Sequence, residues 1–435
     1  MHQLTIIALL SLGQTGEAPL DIPVHREPLT LERALEYAET NNERIGIAAA
    51  AVDRARAQYT RSLAALLPNV NLNGTYIRRR NEASALDENG DRVFFQRRNA
   101  LQAQAQATVN LIKPDEYPRV AAADDDVLAA QSDAEQERLS LRFDAAEQFF
   151  ATLANERVAK AAKGRVDVAQ SAVDEARARY EAGLAAGNTV TRAELELATA
   201  RVTATETGNQ AEIARLTLSF ILGVDVAGGL VEPASAGSSV TDSSGLFEQA
   251  RAARPDLDAL RHRRDAAESR QLAPVLDWFP EVSVRGLYSL TNEPGFGPND
   301  NYQFSATLGW QVFDGGIRIA DDIQANADYR DADLQIRALE RNVRLEIENQ
   351  LRQIGTRRAL VTEARARLEV AKRNAEEVTQ RLEAGLVTGL EAADSAAELF
   401  DAEAELARQQ FEQRIAELAL RRVVASDPLT PVNPD

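Results

Sequence analysis

A chain of 435 residues with 67 acidic and 49 basic side chains, a formal charge of −18, lacks the net basic surface that a general nucleic-acid binder needs to neutralise phosphates. It has no cysteine, which excludes disulfides, thiolate metal sites, thiol nucleophiles and cysteine-linked lipid anchors, and its three histidines leave little imidazole for catalysis or metal binding. Aromatics make up only 5%, and long Ala/Glu/Arg/Leu runs show the bias of long helices and coiled coils rather than of a wide mixed core.

Residues 1–18 read as a short secretory signal, with an apolar run from Leu4 to Leu12 before small and polar residues, although no Lys or Arg precedes Arg26. No run of about 18 apolar residues occurs, so no transmembrane helix is expected. An amphipathic helix is expected from Leu31 to about Ala64. Pro68 announces a strand in which Val70, Leu72, Gly74 and Tyr76 alternate with Asn71, Asn73 and Thr75. A return strand sets Leu101, Ala103, Ala105, Ala107 and Val109 against Gln102, Gln104 and Gln106. Their connection, IRRRNEASALDENGDRVFFQRR, reads as a polar surface loop whose Arg78, Arg79, Arg80, Arg97 and Arg98 suit lipid phosphates or simply water.

From about Glu116 to Tyr180 no proline follows Pro118, and at 1.5 Å per residue such a helix extends roughly 95 Å. Val166, Ala169, Val173, Ala176 and Tyr180 step by 3 and 4, the spacing of a coiled-coil seam. The helix breaks at Gly183 to Asn188 and returns from about Val190 to Leu222. Residues 223–245, rich in Gly and Ser, read as a flexible linker.

The same order then recurs. A helix from Leu246 to about Leu272 precedes PEVSVRGLY (Pro280 to Tyr288), which repeats PNVNLNGTY (Pro68 to Tyr76) 212 residues on. Val282, Val284, Gly286, Tyr288 and Leu290 keep the register. Phe304, Ala306, Leu308, Trp310 and Val312 face away from Gln303, Ser305, Thr307 and Gln311. A long helix from about Ile317 to Leu382 carries the seam Val361, Ala364, Leu368, Ala371, Ala375, Val378 and Leu382. RLEAGL (Arg381 to Leu386) then repeats RYEAGL (Arg179 to Leu184) at an offset of 202. A period this long is a duplicated half-protein, with repeats at 29–222 and 246–424 and a tail at 425–435.

Four strands with one apolar and one polar face fit a transmembrane β-barrel, and equally a half-buried sheet in water. Tyr76, Tyr288, Tyr302 and Trp310 near strand ends suit membrane-interface girdles, and aromatics are also common in any strand. The smallest membrane barrels have about eight strands, so a barrel requires oligomerisation, and a trimer would supply twelve.

The order of elements and the segments ALEYAETNNERI (Ala34 to Ile45), LLPNVNLNGTY (Leu66 to Tyr76), WQVFDGG (Trp310 to Gly316), RYEAGLAAGNTVTRAELELA and RLEAGLVTGLEAADSAAELF resemble the TolC-like outer membrane efflux proteins, from about Leu29 to Val424. The resemblance implies a mainly α fold of long antiparallel coiled-coil hairpins with four β-strands per chain. It implies a homotrimer with a twelve-stranded barrel among outer membrane lipids and a helical tunnel in the periplasm, docked to a periplasmic adaptor and an inner-membrane transporter. It implies no enzyme activity, cofactor or metal. It places Glu391 and Asp394, six and nine residues after Gly385, at a pore constriction, and Gly183, Leu184, Gly385 and Leu386 at adaptor-docking tips. Thr189 stands where the first repeat often has an acid, and Val387 where some relatives have an arginine, so a strong salt-bridge latch is not expected.

Local readings stand beside these. Acids at a helix N-terminus are favoured by the helix dipole, and each tip glycine caps its helix while each leucine covers the turn. An enzyme lacks support, since no Cys/His cluster, phosphate-cradling loop or nucleophile elbow occurs. Asp124 to Asp126 are consecutive on a helix and diverge, as surface acids do rather than metal ligands. A periplasmic adaptor would carry one hairpin between β-rich modules, and a soluble structural coiled coil would leave the paired strands unexplained.

Overall fold

The computed structural model describes residues 23–86, 89–233, 243–295 and 297–429; the segment read as a signal lies outside them. Strand β1 (Val24–His25) is followed by α1 (Leu31–Asn41), α2 (Glu43–Ala64), β2 (Asn69–Arg78), β3 (Ala83–Leu86), β4 (Arg92–Gln96), β5 (Asn99–Ile112), α3 (Glu116–Glu181), α4 (Gly187–Leu222) and β6 (Asp225–Val226). The second repeat comprises α5 (Ser243–Ala253), α6 (Pro255–Leu276), β7 (Glu281–Thr291), β8 (Asp300–Gly309), α7 (Ile317–Glu383) and α8 (Gly389–Val423).

Each expected leading helix is in fact two. Asn42 leaves the helical region (ψ 131°), and its side-chain amide donates to the Ile221 carbonyl at 2.8 Å. In the second repeat Pro255 fixes the start of a new helix, and Arg254, 212 residues beyond Asn42, donates Nη1 to the Val423 carbonyl at 3.1 Å. Ile221 and Val423 are themselves 202 residues apart. Corresponding residues therefore satisfy an orphan carbonyl at the end of each returning helix, one with a neutral amide and one with a guanidinium.

Those helix ends share a second device. Gly223 adopts φ 64°, with its N–H bonded to the Phe220 carbonyl and Val224 N–H to the Ser219 carbonyl. At the 202 offset Ala425 does the same with φ 52°, through Arg422 and Arg421. Both are Schellman caps, and an alanine there bears a left-handed penalty of about 1–2 kcal/mol. Ala425→Gly should therefore raise stability by about 0.5–1 kcal/mol in denaturant titration, after allowing for the entropy glycine loses on folding. A fall in stability would mean that the Cβ makes a contact worth more than the strain.

Three further expectations need correction. The segment after Gly223 does not begin as a linker: β6 pairs in parallel with β1, Leu29 bridges Leu230, and Arg215 donates to the Val226 and Gly228 carbonyls at 3.3 and 2.7 Å. Residues 234–242 of that segment lie outside the described residues. The loop after β2 contains an antiparallel hairpin, β3–β4, too short to show a period in sequence. Tyr180 is exposed instead of closing its seam, because its ring lies beside Gly187 at the turn, 3.7 Å from where a Cβ would stand.

The chain forms two compact units, each drawing on both repeats. The first comprises Met1–Asn42, Asp144–Ser235 and Leu360–Glu412. There α3 meets α4 through Ala169, Val173 and Ala176 against Ala193, Leu197 and Ala200, and α7 meets α8 through Leu368 and Ala371 against Ala402. The expected seam is buried at those positions and at Val361 and Ala364, while Ala375, Val378 and Leu382 are half-buried. The second unit comprises Glu43–Phe143, Ala236–Ala359 and Gln413–Asp435. It has a core of Leu246, Val343, Ile347, Ile354, Leu420 and Val424, and it holds the sheet.

Candidate functional site

The main sheet runs in the order β2-β5-β7-β8, antiparallel throughout, with β2 and β8 at the edges. Directly paired residues share a face, so the register sorts the side chains. On one face Leu72 pairs with Ala105, Ala105 with Tyr288, and Tyr288 with Tyr302; Tyr76 pairs with Leu101, Gly286 with Phe304, and Val282 with Leu308. On the other face Asn73 pairs with Gln104, Gln104 with Ser289, and Ser283 with Thr307. The apolar face is uncovered: Leu72 is 77% exposed and Phe304 78%. A sheet in water buries its apolar face and shows its polar one. An exposed apolar face on rows this regular has hydrocarbon as its solvent, and this separates the two readings that alternation alone left open.

Aromatics mark both ends of the apolar face. Tyr302 packs beside Phe304 with ring centroids 6.2 Å apart, and the Tyr76 hydroxyl donates to Asn99 Oδ1 at 2.9 Å. At the other end Trp310 stands just beyond β8, which stops at Gly309 instead of reaching Val312, and its indole N–H donates to the Trp278 carbonyl at 3.0 Å. Phe279 and Phe313 are exposed nearby in sequence. Tyr302 and Trp310 are separated by about 27 Å along the strand; a tilt of about 40° reduces this to about 20 Å, close to the roughly 25 Å apolar band of such barrels.

Sequence reasoning missed Arg318, whose side chain is 3% exposed. Its Nε donates to Asp277 at 2.6 Å, Nη1 to the Gln311 carbonyl at 2.6 Å and its backbone N–H to Asp314 at 2.8 Å, and the guanidinium lies over the Trp278 ring. It clamps the WQVFDGG segment to the end of α6. The signal was an acid four residues before an arginine, and the first repeat has it too: Asp115 and Arg119 pair at 2.8 Å.

In the other unit, the two hairpin tips are built alike. Gly183 (φ 72°) and Gly385 (φ 71°) form Schellman caps: Gly183 N–H bonds to the Tyr180 carbonyl and Leu184 N–H to Arg179, and Gly385 and Leu386 repeat this with Leu382 and Arg381. The leucines do not cover the turns. Leu184 is 79% and Leu386 72% exposed, because the usual apolar partner at the third-last helical position is an arginine in both tips.

The second tip is seated against α3. A Cβ on Gly389 would stand 2.5 Å from Glu175 Oε2 and 3.1 Å from Ala172 Cα, so a larger residue there would displace the Glu175 carboxylate and crowd the α3 backbone. Arg179, paired with Glu175 at 2.7 Å, also donates to the Val387 carbonyl at 3.4 Å. With valine at 387, an arginine from the first hairpin contacts the backbone carbonyl of that residue.

Glu391 accepts hydrogen bonds from the Thr388 N–H (2.7 Å) and hydroxyl (3.1 Å), and Thr388 Oγ1 accepts from the Glu391 N–H (3.3 Å). This is a capping box, legible in the sequence as TGLE. The Thr388 N–H first, and its hydroxyl second, hold the Glu391 carboxyl below the usual carboxylate range. Asp394 is exposed one turn further along α8, and the exposed Glu398 and Asp401 continue the 3-and-4 spacing. At 100° per residue these four acids fall within an arc of about 80°, a narrow acidic stripe that sequence reasoning had traced only at its first two positions.

The sequence profile described as outer membrane efflux protein matches the chain twice, at residues 34–224 and 246–426. The antibiotic efflux pump outer membrane protein ArpC of Pseudomonas putida is 21% identical over 91% of this chain and 82% of its own length. The Campylobacter jejuni CmeC outer membrane channel superposes with a TM-score of 0.76 at 14% identity, covering 91% of this chain and 85% of CmeC. A membrane protein from Pseudomonas aeruginosa gives a TM-score of 0.75 at 20% identity, covering 93% and 91%. With an uncovered apolar sheet face, duplicated hairpins and a profile match across both repeats, the chain belongs to the outer membrane efflux protein family and is a channel protein of the outer membrane.

Proposed function

We propose that this chain is the outer membrane exit duct of a tripartite export system, a passive conduit from periplasm to exterior that opens on docking to a periplasmic adaptor and an inner-membrane transporter. The observation that carries this is the sheet: four strands, an apolar face made for lipid, and two edges, β2 and β8, with no outer partner among the described residues. Exposed edges inside hydrocarbon are not tolerated, so the sheet must close on copies of itself. Three chains give twelve strands and six nearly equivalent tips. ArpC is the outer membrane protein of an antibiotic efflux pump, which favours small molecules as cargo here. In the trimer Glu391 and Asp394 form stacked carboxylate rings at the periplasmic constriction, which favour cations.

The matched tips supply the docking contact, since an exposed leucine on a rigid, glycine-capped turn is an apolar anchor. Changing both Leu184 and Leu386 to Asp should reduce export at least tenfold in a strain that depends on this channel, while the protein still reaches the outer membrane. Undiminished export would remove the tips from the contact.

A further inference from the structure

The chain is strongly acidic, yet residues 78–98 hold six arginines: Arg78, Arg79, Arg80, Arg92, Arg97 and Arg98. Two have internal tasks. Arg79 pairs with Glu293, whose carboxylate also accepts the Arg97 N–H, and the Arg97 guanidinium lies over the Phe94 ring at 4.7 Å. These contacts tie the β3–β4 segment to the connection between β7 and β8. The other four are exposed, and their guanidinium groups form no ion pair among the described residues.

Their placement is specific. Arg78 is the last residue of β2 and pairs with Asn99, so it continues the row Leu72, Gly74, Tyr76 on the apolar face. It stands about 7 Å beyond Tyr76, at the depth where hydrocarbon gives way to headgroups. This end of the sheet is the one away from α2 and α3, which enter and leave at the opposite strand ends. Beside it a cavity of about 730 Å³ is lined by Tyr76, Leu101 and Leu290 from the apolar rows and by Arg97 and Asn299 beyond them. An apolar floor with a cationic edge fits an amphiphile whose head is anionic. Guanidinium groups recognise phosphate through paired N–H donors, and exposed arginines with no carboxylate partner among the described residues present those donors.

We propose that Arg78 and Arg80, aided by Arg92 and Arg98, bind the phosphate groups of a phosphorylated glycolipid in the outer leaflet and so anchor each chain's outer rim. This rests on the membrane face assigned above. Binding of fluorescent diphosphorylated lipid A to the detergent-solubilised full chain tests it, with dephosphorylated lipid A as the comparison. Wild type should prefer the phosphorylated lipid, and the Arg78→Ala/Arg80→Ala double variant should bind it on the order of 20-fold more weakly, about fivefold per arginine near an anionic surface. Arg78→Lys, which keeps the charge but loses the paired donors, should bind between wild type and an Arg78→Ala single variant. Equal binding by wild type and the double variant, or full displacement of the lipid by millimolar inorganic phosphate, overturns the proposal. Insertion of both proteins into neutral phosphatidylcholine vesicles is read in parallel: if wild type does not enter them, the membrane face itself is wrong, and with it the proposal.

Discussion

Ala306→Arg is expected to destabilise the membrane-inserted chain by about 2–4 kcal/mol, and Thr307→Arg by no more than about 1 kcal/mol. Ala306 lies on the exposed apolar face of β8, midway between Tyr302 and Trp310, where a guanidinium must be drawn toward the middle of the hydrocarbon. Thr307 is its immediate neighbour, pairs with Ser283 and faces the polar side, where water solvates an added charge. The two variants add the same side chain one residue apart and differ only in which solvent receives it. In the proposed trimer the Ala306→Arg penalty is felt three times, and loss of the oligomer from outer membrane fractions should accompany it. Refolding into lipid vesicles across a urea series measures the difference directly. Equal effects from both variants would mean that the sheet does not separate lipid from water.

Asp256→Ala is expected to cost about 3 kcal/mol through the charge it strands. Arg254 is mostly buried between α5, α6 and α8; its Nε and Nη2 hold Asp256 at 2.9 and 2.6 Å while Nη1 serves the Val423 carbonyl. Burial opposes its charge, but the hydrogen bond and field of Asp256, joined by Glu346, outweigh this and raise its pKa. Without Asp256 the guanidinium keeps its desolvation cost and loses its main partner. Arg254→Met removes the charge with its need for a partner, so the double variant Arg254→Met/Asp256→Ala should be more stable than Asp256→Ala alone. In the first repeat Asn42→Ala removes the neutral hydrogen bond to the Ile221 carbonyl, a loss of about 1 kcal/mol. Denaturant unfolding in detergent ranks the set. A cost for Asp256→Ala no larger than for Asn42→Ala would show that the second repeat gains nothing special from its ion pair.

The long hairpins were legible because a helix interior depends on local spacing, and the apolar residues at Ala169, Val173, Leu368 and Ala371 keep that spacing intact. The sheet was legible to the level of its two faces, since period-2 alternation runs through Val70 to Tyr76 and, interrupted only by Leu287 among the polar positions, through Val282 to Leu290. Which solvent meets the apolar face was not, because alternation is the same in lipid and in water. The helix breaks at Asn42 and Arg254 were hidden because the carbonyls those side chains seek, on Ile221 and Val423, lie far along the chain. Pro255 alone pointed to one of them. At the tips the glycine caps were written locally, whereas the exposure of Leu184 and Leu386 depended on the arginine five residues earlier in each case. Glu391 shows two roles in one residue. Its bonds to Thr388 are local and readable from TGLE, whereas the pore role proposed for it rests on the family resemblance and on the acidic stripe that Asp394, Glu398 and Asp401 extend.

The duct reading is tested most directly by single-channel conductance of the purified protein in a planar bilayer, comparing wild type with a Glu391→Gln/Asp394→Asn variant. The wild type should form a discrete, cation-selective channel. The variant, which retains hydrogen-bonding side chains at both positions, should lose cation preference several-fold while still forming channels. Absence of any channel from properly folded protein, or unchanged selectivity in the variant, would contradict an exit duct gated at those carboxylates.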